Sequence, residues 1–216
     1  MKTNFIFPIL FLVLSCNSST DKKKENKPSS QPAEETRHSD KTTYDTSLKQ
    51  NGDYTALFIR DDKDCDLLSL NEMATVLKLD ESHITTSNGV YGFCKFSLNL
   101  VDGTKTALLL SALPYKKIDI SREIESFMKM ENDFGSKNTI GGYLVLSDSK
   151  DTYFGIRSDR GELFMFNPTY DGAIMIKFGS VVEAATMRVT YTEEQKKQRL
   201  DNAVAVANFL LKKYKN

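Results

Sequence analysis

Apolar and polar residues alternate most regularly between residues 94 and 100. Every second residue there is apolar, namely Cys94, Phe96, Leu98 and Leu100. Asp102-Gly103 then favours a two-residue turn into a second apolar segment, Lys105–Leu113. The pattern predicts a β-hairpin that presents one face to a hydrophobic core.

Five other short segments also have the composition of strands. One is Tyr54–Arg60, near the start of the folded part. The other four are separated by clusters of Asp, Ser and Gly: Tyr143–Leu146, Tyr153–Arg157, Glu162–Phe166 and Ala173–Phe178. Consecutive short strands separated by turn residues indicate an antiparallel meander.

Helical spacing of apolar residues occurs in three places. Ser69 and Glu72 have the spacing of a capping box and predict a helix from about Leu70 to Leu79. A second helix is predicted over about Ile120–Phe134, and a third after a Thr192 cap. The predicted buried stripe of the third helix is Leu200, Val204, Ala207, Leu211 and Tyr214. The fold class is therefore α+β, with a mostly antiparallel sheet of about six or seven strands covered by about three helices.

The chain begins with a short basic segment and an apolar run, Phe5–Leu14. This run is too short to cross a hydrocarbon core of about 30 Å, so residues 1–15 are predicted to be a signal peptide. It ends in Val13-Leu14-Ser15-Cys16, which resembles the bacterial lipobox. The resemblance implies cleavage before Cys16 and attachment of a diacylglycerol to its thiol. The alternative is an ordinary secretory signal that Cys16 follows by coincidence.

Residues 16–50 are predicted to form the lipidated Cys and a disordered tether. Only Ala33, Tyr44 and Leu48 are apolar after Cys16, too few to offset the entropy of ordering the segment. As a flexible coil the tether would span roughly 30–35 Å. The remaining residues, 51–216, have the length of one domain.

Charge and hydropathy narrow the possible partners. The chain has 29 Lys+Arg and 29 Asp+Glu residues, which excludes the basic footprint of a nucleic-acid-binding domain. No later segment has 18 uninterrupted apolar residues, so the lipid on Cys16 is the expected membrane anchor. Asn17 follows this Cys where enteric lipoproteins retained at the inner membrane have Asp, and this favours the outer membrane.

Cys65 and Cys94 remain once Cys16 is acylated. Export favours oxidation, so a Cys65–Cys94 disulfide is predicted. Closing this loop of about 30 residues would stabilise the domain by about 3.6 kcal/mol on the chain-entropy model. The alternatives are a redox pair and a metal site that includes His83, but neither has its usual spacing in this chain.

The residues around the first of these cysteines resemble a known family. Cys65-Asp66-Leu67-Leu68-Ser69-Leu70-Asn71-Glu72-Met73, followed by a helix and a Cys in a strand, is similar to exported actinobacterial lipoprotein domains of unknown function. Those domains open with Cys-x-Leu-Leu-Thr/Ser-x-x-Glu-Val. The resemblance covers residues 64–96 by motif, and it implies that the two Cys pair and that an antiparallel sheet leads to a C-terminal helix. It implies a fold rather than an activity.

Residues that carry chemistry are few. Three aspartates of the run 61–66 have the spacing of a calcium loop, but Leu67 and Met73 stand where that loop needs Gly and Glu. His83 is the only imidazole of the domain, and the motifs of nucleophilic, zinc and phosphate-binding enzymes are missing. No catalytic residue, metal or cofactor is predicted.

Two features of the second half are candidate contact regions. The side chains of Phe164–Phe166 with Tyr170 and Met175 either form the sheet core or line a pocket for an apolar ligand. The turn 167–172 is an exposed contact loop on one interpretation, and ordinary turn chemistry on the other. Its candidate contact residues are Asn167, Tyr170 and Asp171.

The sequence as a whole predicts a lipid-anchored, extracytoplasmic lipoprotein with a non-catalytic binding domain. Its expected partners are the membrane, through the anchor, and an unidentified protein or ligand of the cell envelope. One alternative is an envelope enzyme whose paired carboxylates meet only in space. The other is a carrier of a small apolar ligand.

Overall fold

The computed structural model describes Leu48 and residues 52–60, 64–88, 93–134, 142–178 and 191–216. The predicted signal peptide, the lipidation residue Cys16 and the acidic residue Asp62 lie outside the described residues. So does the predicted tether apart from Leu48, which is half-buried against apolar side chains of the domain. The described contacts therefore begin slightly before the predicted start of the domain at residue 51.

A single antiparallel sheet contains every strand of the described residues. The strands are β1 (Ile84–Asn88), β2 (Cys94–Asn99), β3 (Lys105–Leu113), β4 (Tyr143–Leu146), β5 (Tyr153–Arg157), β6 (Glu162–Phe166) and β7 (Ala173–Lys177). Their order across the sheet is β1-β2-β3-β7-β6-β5-β4. Two meanders, β1–β3 and β4–β7, are joined where β3 pairs with β7, with Leu110 opposite Ile176.

Helices cover the sheet on both faces. Those of the described residues are α1 (Thr55–Phe58), α2 (Leu70–Leu77), α3 (Lys117–Phe134) and α4 (Glu193–Lys213). Capping boxes begin two of them, Ser69 with Glu72 at α2 and Thr192 with Gln195 at α4. The α+β class is therefore confirmed, with seven antiparallel strands.

The alternation of side chains along β6 shows how the two cores are built. Leu163 and Met165 point to the face covered by α2 and α4, whereas Phe164 and Phe166 point to the face covered by α3. All five residues of β6 are buried, including Glu162 at its start, so this strand has no alternation of buried and exposed positions. The sheet is therefore the middle layer of three.

One predicted strand is a helix in the structure. Residues 55–58 form α1 because Tyr54, Leu57 and Phe58 are all buried, at the i, i+3, i+4 spacing of a helix face. The Asp53 carboxylate accepts the Thr55 amide at 2.9 Å, which helps to begin the turn. Strand β1 was not predicted, because Ile84 is its only buried residue.

The two cysteines are bonded to each other. The disulfide joins Cys65, in a short 3-10 turn, to Cys94 at the start of β2. Cys94 is fully buried in the core shared with α2 and α4. The predicted Cys65–Cys94 bridge is therefore present, and it fastens the segment before α2 to the sheet.

Asp53, just before α1, and Asn216, the last residue, are hydrogen-bonded to each other. The amide of Asn216 donates to the Asp53 carbonyl at 2.9 Å, and its side-chain amide donates to the Asp53 carboxylate at 3.3 Å. In α4, which leads to Asn216, the buried residues are Arg199, Ala203, Val206, Ala207, Leu210 and Leu211. Of the predicted stripe, Ala207 and Leu211 are buried and the other three residues are half-buried.

Candidate functional site

The turn after β6 has one exposed residue among the three predicted contact residues. Asn167 is 1% exposed and Tyr170 is 6% exposed, so the expectation of exposure is wrong for both. The Tyr170 hydroxyl accepts the Tyr54 amide at 2.8 Å and so links this turn to the segment before α1. Asp171 is exposed, and its carboxylate accepts the Lys117 amide at the start of α3.

The aromatic residues near β6 do not share one pocket. Phe164, Phe166 and Met175 pack under α3, whereas Met165 and Tyr170 belong to the core on the other face. The Phe127 ring of α3 lies close to both phenylalanines, with ring centres 6.2 and 6.1 Å away. These side chains fill two separate cores, which gives no support to a carrier of an apolar ligand at this place.

A buried polar cluster surrounds Asp151, in the loop between β4 and β5. The Tyr54 hydroxyl donates to one carboxylate oxygen at 2.9 Å, and the hydroxyls of Ser149 and Thr152 donate to the other. Asp151 is 1% exposed. Burial is the largest of the effects that raise the pKa of Tyr54 above its ordinary value.

This cluster is suited to holding the fold rather than to catalysis. A cavity of about 380 Å³ lies beside it, lined in part by Tyr54 and Ser149. The carboxylate itself is nevertheless enclosed and accepts three hydroxyl groups, so a substrate would have to displace protein donors to reach it. The only described imidazole, His83, bonds to β2 instead.

A second concave surface of the described residues lies on the other half of the sheet. Helix α3 packs over β4 and β5, while Thr85, Ser87 and Asn99 on β1 and β2 are exposed on the same face. A groove of about 590 Å³ lies there, which we call the lysine groove. Its lining residues are Ser82, His83, Thr85, Lys95, Ser97, Leu98, Asn99, Lys105, Thr106 and Ala107.

Strand register sets the arrangement of the lysine groove. Ser97 is opposite Thr85 on one side and Ala107 on the other, so small side chains form its floor. Lys95 and Lys105 stand at the two ends of the groove. Lys95 is two residues before Ser97 on β2, and Lys105 is opposite Asn99, two residues after Ser97. Four residues of extended strand correspond to about 13 Å, which is the approximate spacing of the two lysines along the sheet.

The electrostatic character of the lysine groove is one-sided. No Asp or Glu is among its described lining residues, and no described carboxylate pairs with Lys95 or Lys105. Elsewhere on the same face Lys177 forms a salt bridge with Glu162 at 3.0 Å, so a lysine of this sheet is neutralised where a carboxylate lies beside it. The groove therefore presents two ammonium groups and several hydroxyl and amide groups to a ligand.

His83 adds a further polar group at one end of the groove. Its Nδ1 lies 2.9 Å from the carbonyl oxygen of Asn99, which only accepts, so Nδ1 donates. None of the described residues forms a hydrogen bond with the other ring nitrogen, Nε2. The hydrogen bond to Asn99 thus fixes the orientation of the His83 ring at this end of the groove.

Sequence reasoning did not find the lysine groove, although a signal was present. Lys95, Ser97 and Asn99 are the polar residues that alternate with the apolar ones of β2, which already indicates the outward face. The alternation alone does not tell whether a helix covers that face. The presence of β1 beside β2 was also needed, and β1 has no apolar alternation.

Comparisons with known proteins add no functional information. No family model, curated protein or solved structure matches the chain. Among the described residues, no three His, Cys, Asp or Glu side chains are grouped as metal ligands. None of the described helices is long and apolar enough to cross a membrane.

Proposed function

We propose that this chain is a lipid-anchored, extracytoplasmic binding protein of the cell envelope that recognises an anionic partner through the lysine groove. The observation that carries the binding role is the groove itself, with two unneutralised lysines and no carboxylate among its described lining residues. Cationic, acid-free surfaces attract anionic partners and raise the rate at which they associate.

Export is supported by the disulfide. Cys65 and Cys94 form a disulfide, and Cys94 is fully buried. Structural disulfides persist in oxidising compartments outside the cytoplasm. The lipid anchor rests on the lipobox resemblance at Cys16, and the preference for the outer membrane rests on Asn17. Both belong to the proposal.

The anchor is tested by comparing Cys16→Ala with Ser18→Ala, a control two residues away, in cells that make the full chain. We expect wild type and Ser18→Ala to carry acyl chains by intact mass spectrometry and to sediment with the outer membrane. Cys16→Ala should do neither, because it lacks the thiol that carries the lipid. Unacylated wild-type protein in the cytosol with both remaining thiols reduced would overturn the proposed location.

The binding role is tested with a simple polyanion, dextran sulfate, and the full mature chain in detergent. Replacing Lys95 and Lys105 by Gln should weaken binding several-fold, and wild-type binding should weaken as salt is raised. The matched control replaces the exposed Lys116 and Lys117 by Gln. Equal loss in the two double variants would overturn the assignment of the site to the groove.

A further inference from the structure

The two edges of the sheet differ in how their backbone groups are satisfied. At the β4 edge, the amide of Leu144 donates to the Glu131 carboxylate of α3 at 3.5 Å. At the β1 edge, no described residue bonds to the outward backbone groups of Ile84–Asn88. Strand β1 is therefore the open edge of the described sheet.

The side chains of β1 leave this edge accessible. All five residues pair one-to-one with β2, so the strand has no bulge that would turn its edge away. It also contains no Lys or Pro, which often protect exposed edges, and its side chains after Ile84 are small hydroxyl and amide groups. Another extended chain can approach such an edge and pair with it.

Lys95 lies within reach of an added strand. It is opposite Ser87, so a strand paired outside β1 would lie two strand spacings, or about 10 Å, from the backbone of Lys95. Ser87 is small and leaves the space above it open. A Glu or Asp on the added strand, opposite Ser87 and on the groove face, would meet the Lys95 ammonium group over this gap.

We propose that β1 accepts an extended acidic segment of a partner protein as an eighth strand, with its acidic side chains at alternate positions over the lysine groove. This inference rests on the proposed binding function and names the partner's chemistry. The open backbone edge favours a polypeptide, because only another backbone matches its alternating donors and acceptors. The described lining also has no aromatic ring on which sugars or bases would stack.

The test uses an octapeptide of alternating Glu and Thr, with the full mature chain in detergent. Two further peptides have the same sequence with N-methyl groups, one on the odd-numbered and the other on the even-numbered residues. Each loses the hydrogen-bond donors of one edge and keeps the charge. A fourth peptide replaces Glu by Lys. Binding is measured by fluorescence anisotropy, and hydrogen exchange of residues 84–88 reports pairing at the edge.

We expect the Glu/Thr peptide to bind, to slow exchange in residues 84–88, and to lose affinity at least tenfold with Lys95→Glu. The control Lys116→Glu should leave binding unchanged, and the Lys/Thr peptide should not bind. One of the two N-methylated peptides should lose binding. If both bind as well as the parent, strand addition is overturned while anion binding by the groove stands. If neither the peptide nor dextran sulfate binds, both proposals fail.

Discussion

The hydroxyl of Tyr54 donates to a carboxylate oxygen of Asp151 at 2.9 Å, across 97 positions of sequence. This bond joins the segment before α1 to the loop between β4 and β5. Both residues are 1% exposed or less, so water does not replace the bond if it is lost. The pair is thus a buried polar link between two distant parts of the chain.

Tyr54→Phe should lower the free energy of unfolding by about 1–3 kcal/mol, because it removes a donor from an enclosed carboxylate. The measurement is urea-induced unfolding followed by circular dichroism. Tyr115→Phe is the matched control, since no described residue forms a hydrogen bond with its hydroxyl and the side chain is half-buried. An equal loss of unfolding free energy in the two variants would show that the bond to Asp151 does not contribute to stability.

The disulfide gives a second prediction. Replacing Cys65 and Cys94 together by Ala should lower stability by about 3.6 kcal/mol, the chain-entropy value for a loop of about 30 residues. Wild-type protein treated with a reductant should lose a similar amount under the same denaturant titration. Reduced and oxidised protein that unfold at the same denaturant concentration would contradict this contribution.

Packing between Gly155 and Phe127 gives a third prediction. A Cβ atom at Gly155 would lie 2.6 Å from the Phe127 ring, so Gly155→Ala should destabilise the domain by about 1–3 kcal/mol. Phe127→Leu removes part of the ring and makes room. The double variant should therefore lose less than the sum of the two single losses, and strict additivity would argue against direct contact.

The hydrogen bonds of Asp53 give a fourth prediction, on stability in acid. Hydrogen bonds from the Thr55 side chain and backbone, then from Asn216, lower the pKa of Asp53 from 3.8 to about 2. A lowered folded-state pKa stabilises the protein above the unfolded value, and this contribution is lost as the pH falls from about 4 through about 2. Asp53→Asn should reduce stability at neutral pH and make the melting temperature fall less steeply over that interval.

The control for this acid titration is Glu125→Gln, on the exposed side of α3. Its melting temperature should fall with pH as steeply as that of wild type. If Asp53→Asn also follows the wild-type curve at every pH, its hydrogen bonds make no measurable contribution to folding.

Most of the fold was predictable because its signals are local. The hairpin of β2 and β3 follows from apolar alternation around Asp102-Gly103, and α2 follows from its capping box. Residues 54–60 misled the prediction because their strand-like composition contains a buried helical face. Tertiary burial of Tyr54 and Leu57 decides that conflict, and composition does not report it.

The candidate site was less predictable because its residues are individually ordinary. Lys95 and Lys105 are recognisable from sequence only as polar positions of a hairpin. The groove that they line is recognisable only once the sheet is assembled, because no described helix covers this part of it and its described lining contains no Asp or Glu. For the same reason Asn167 and Tyr170 resembled exposed turn residues and are buried.

The bond between Asp53 and Asn216 has a practical consequence for measuring recognition by this domain. Asn216 is held beside the residue that precedes α1, so a sensor surface that binds a tag placed after Asn216 holds the domain at the corner where α1 begins.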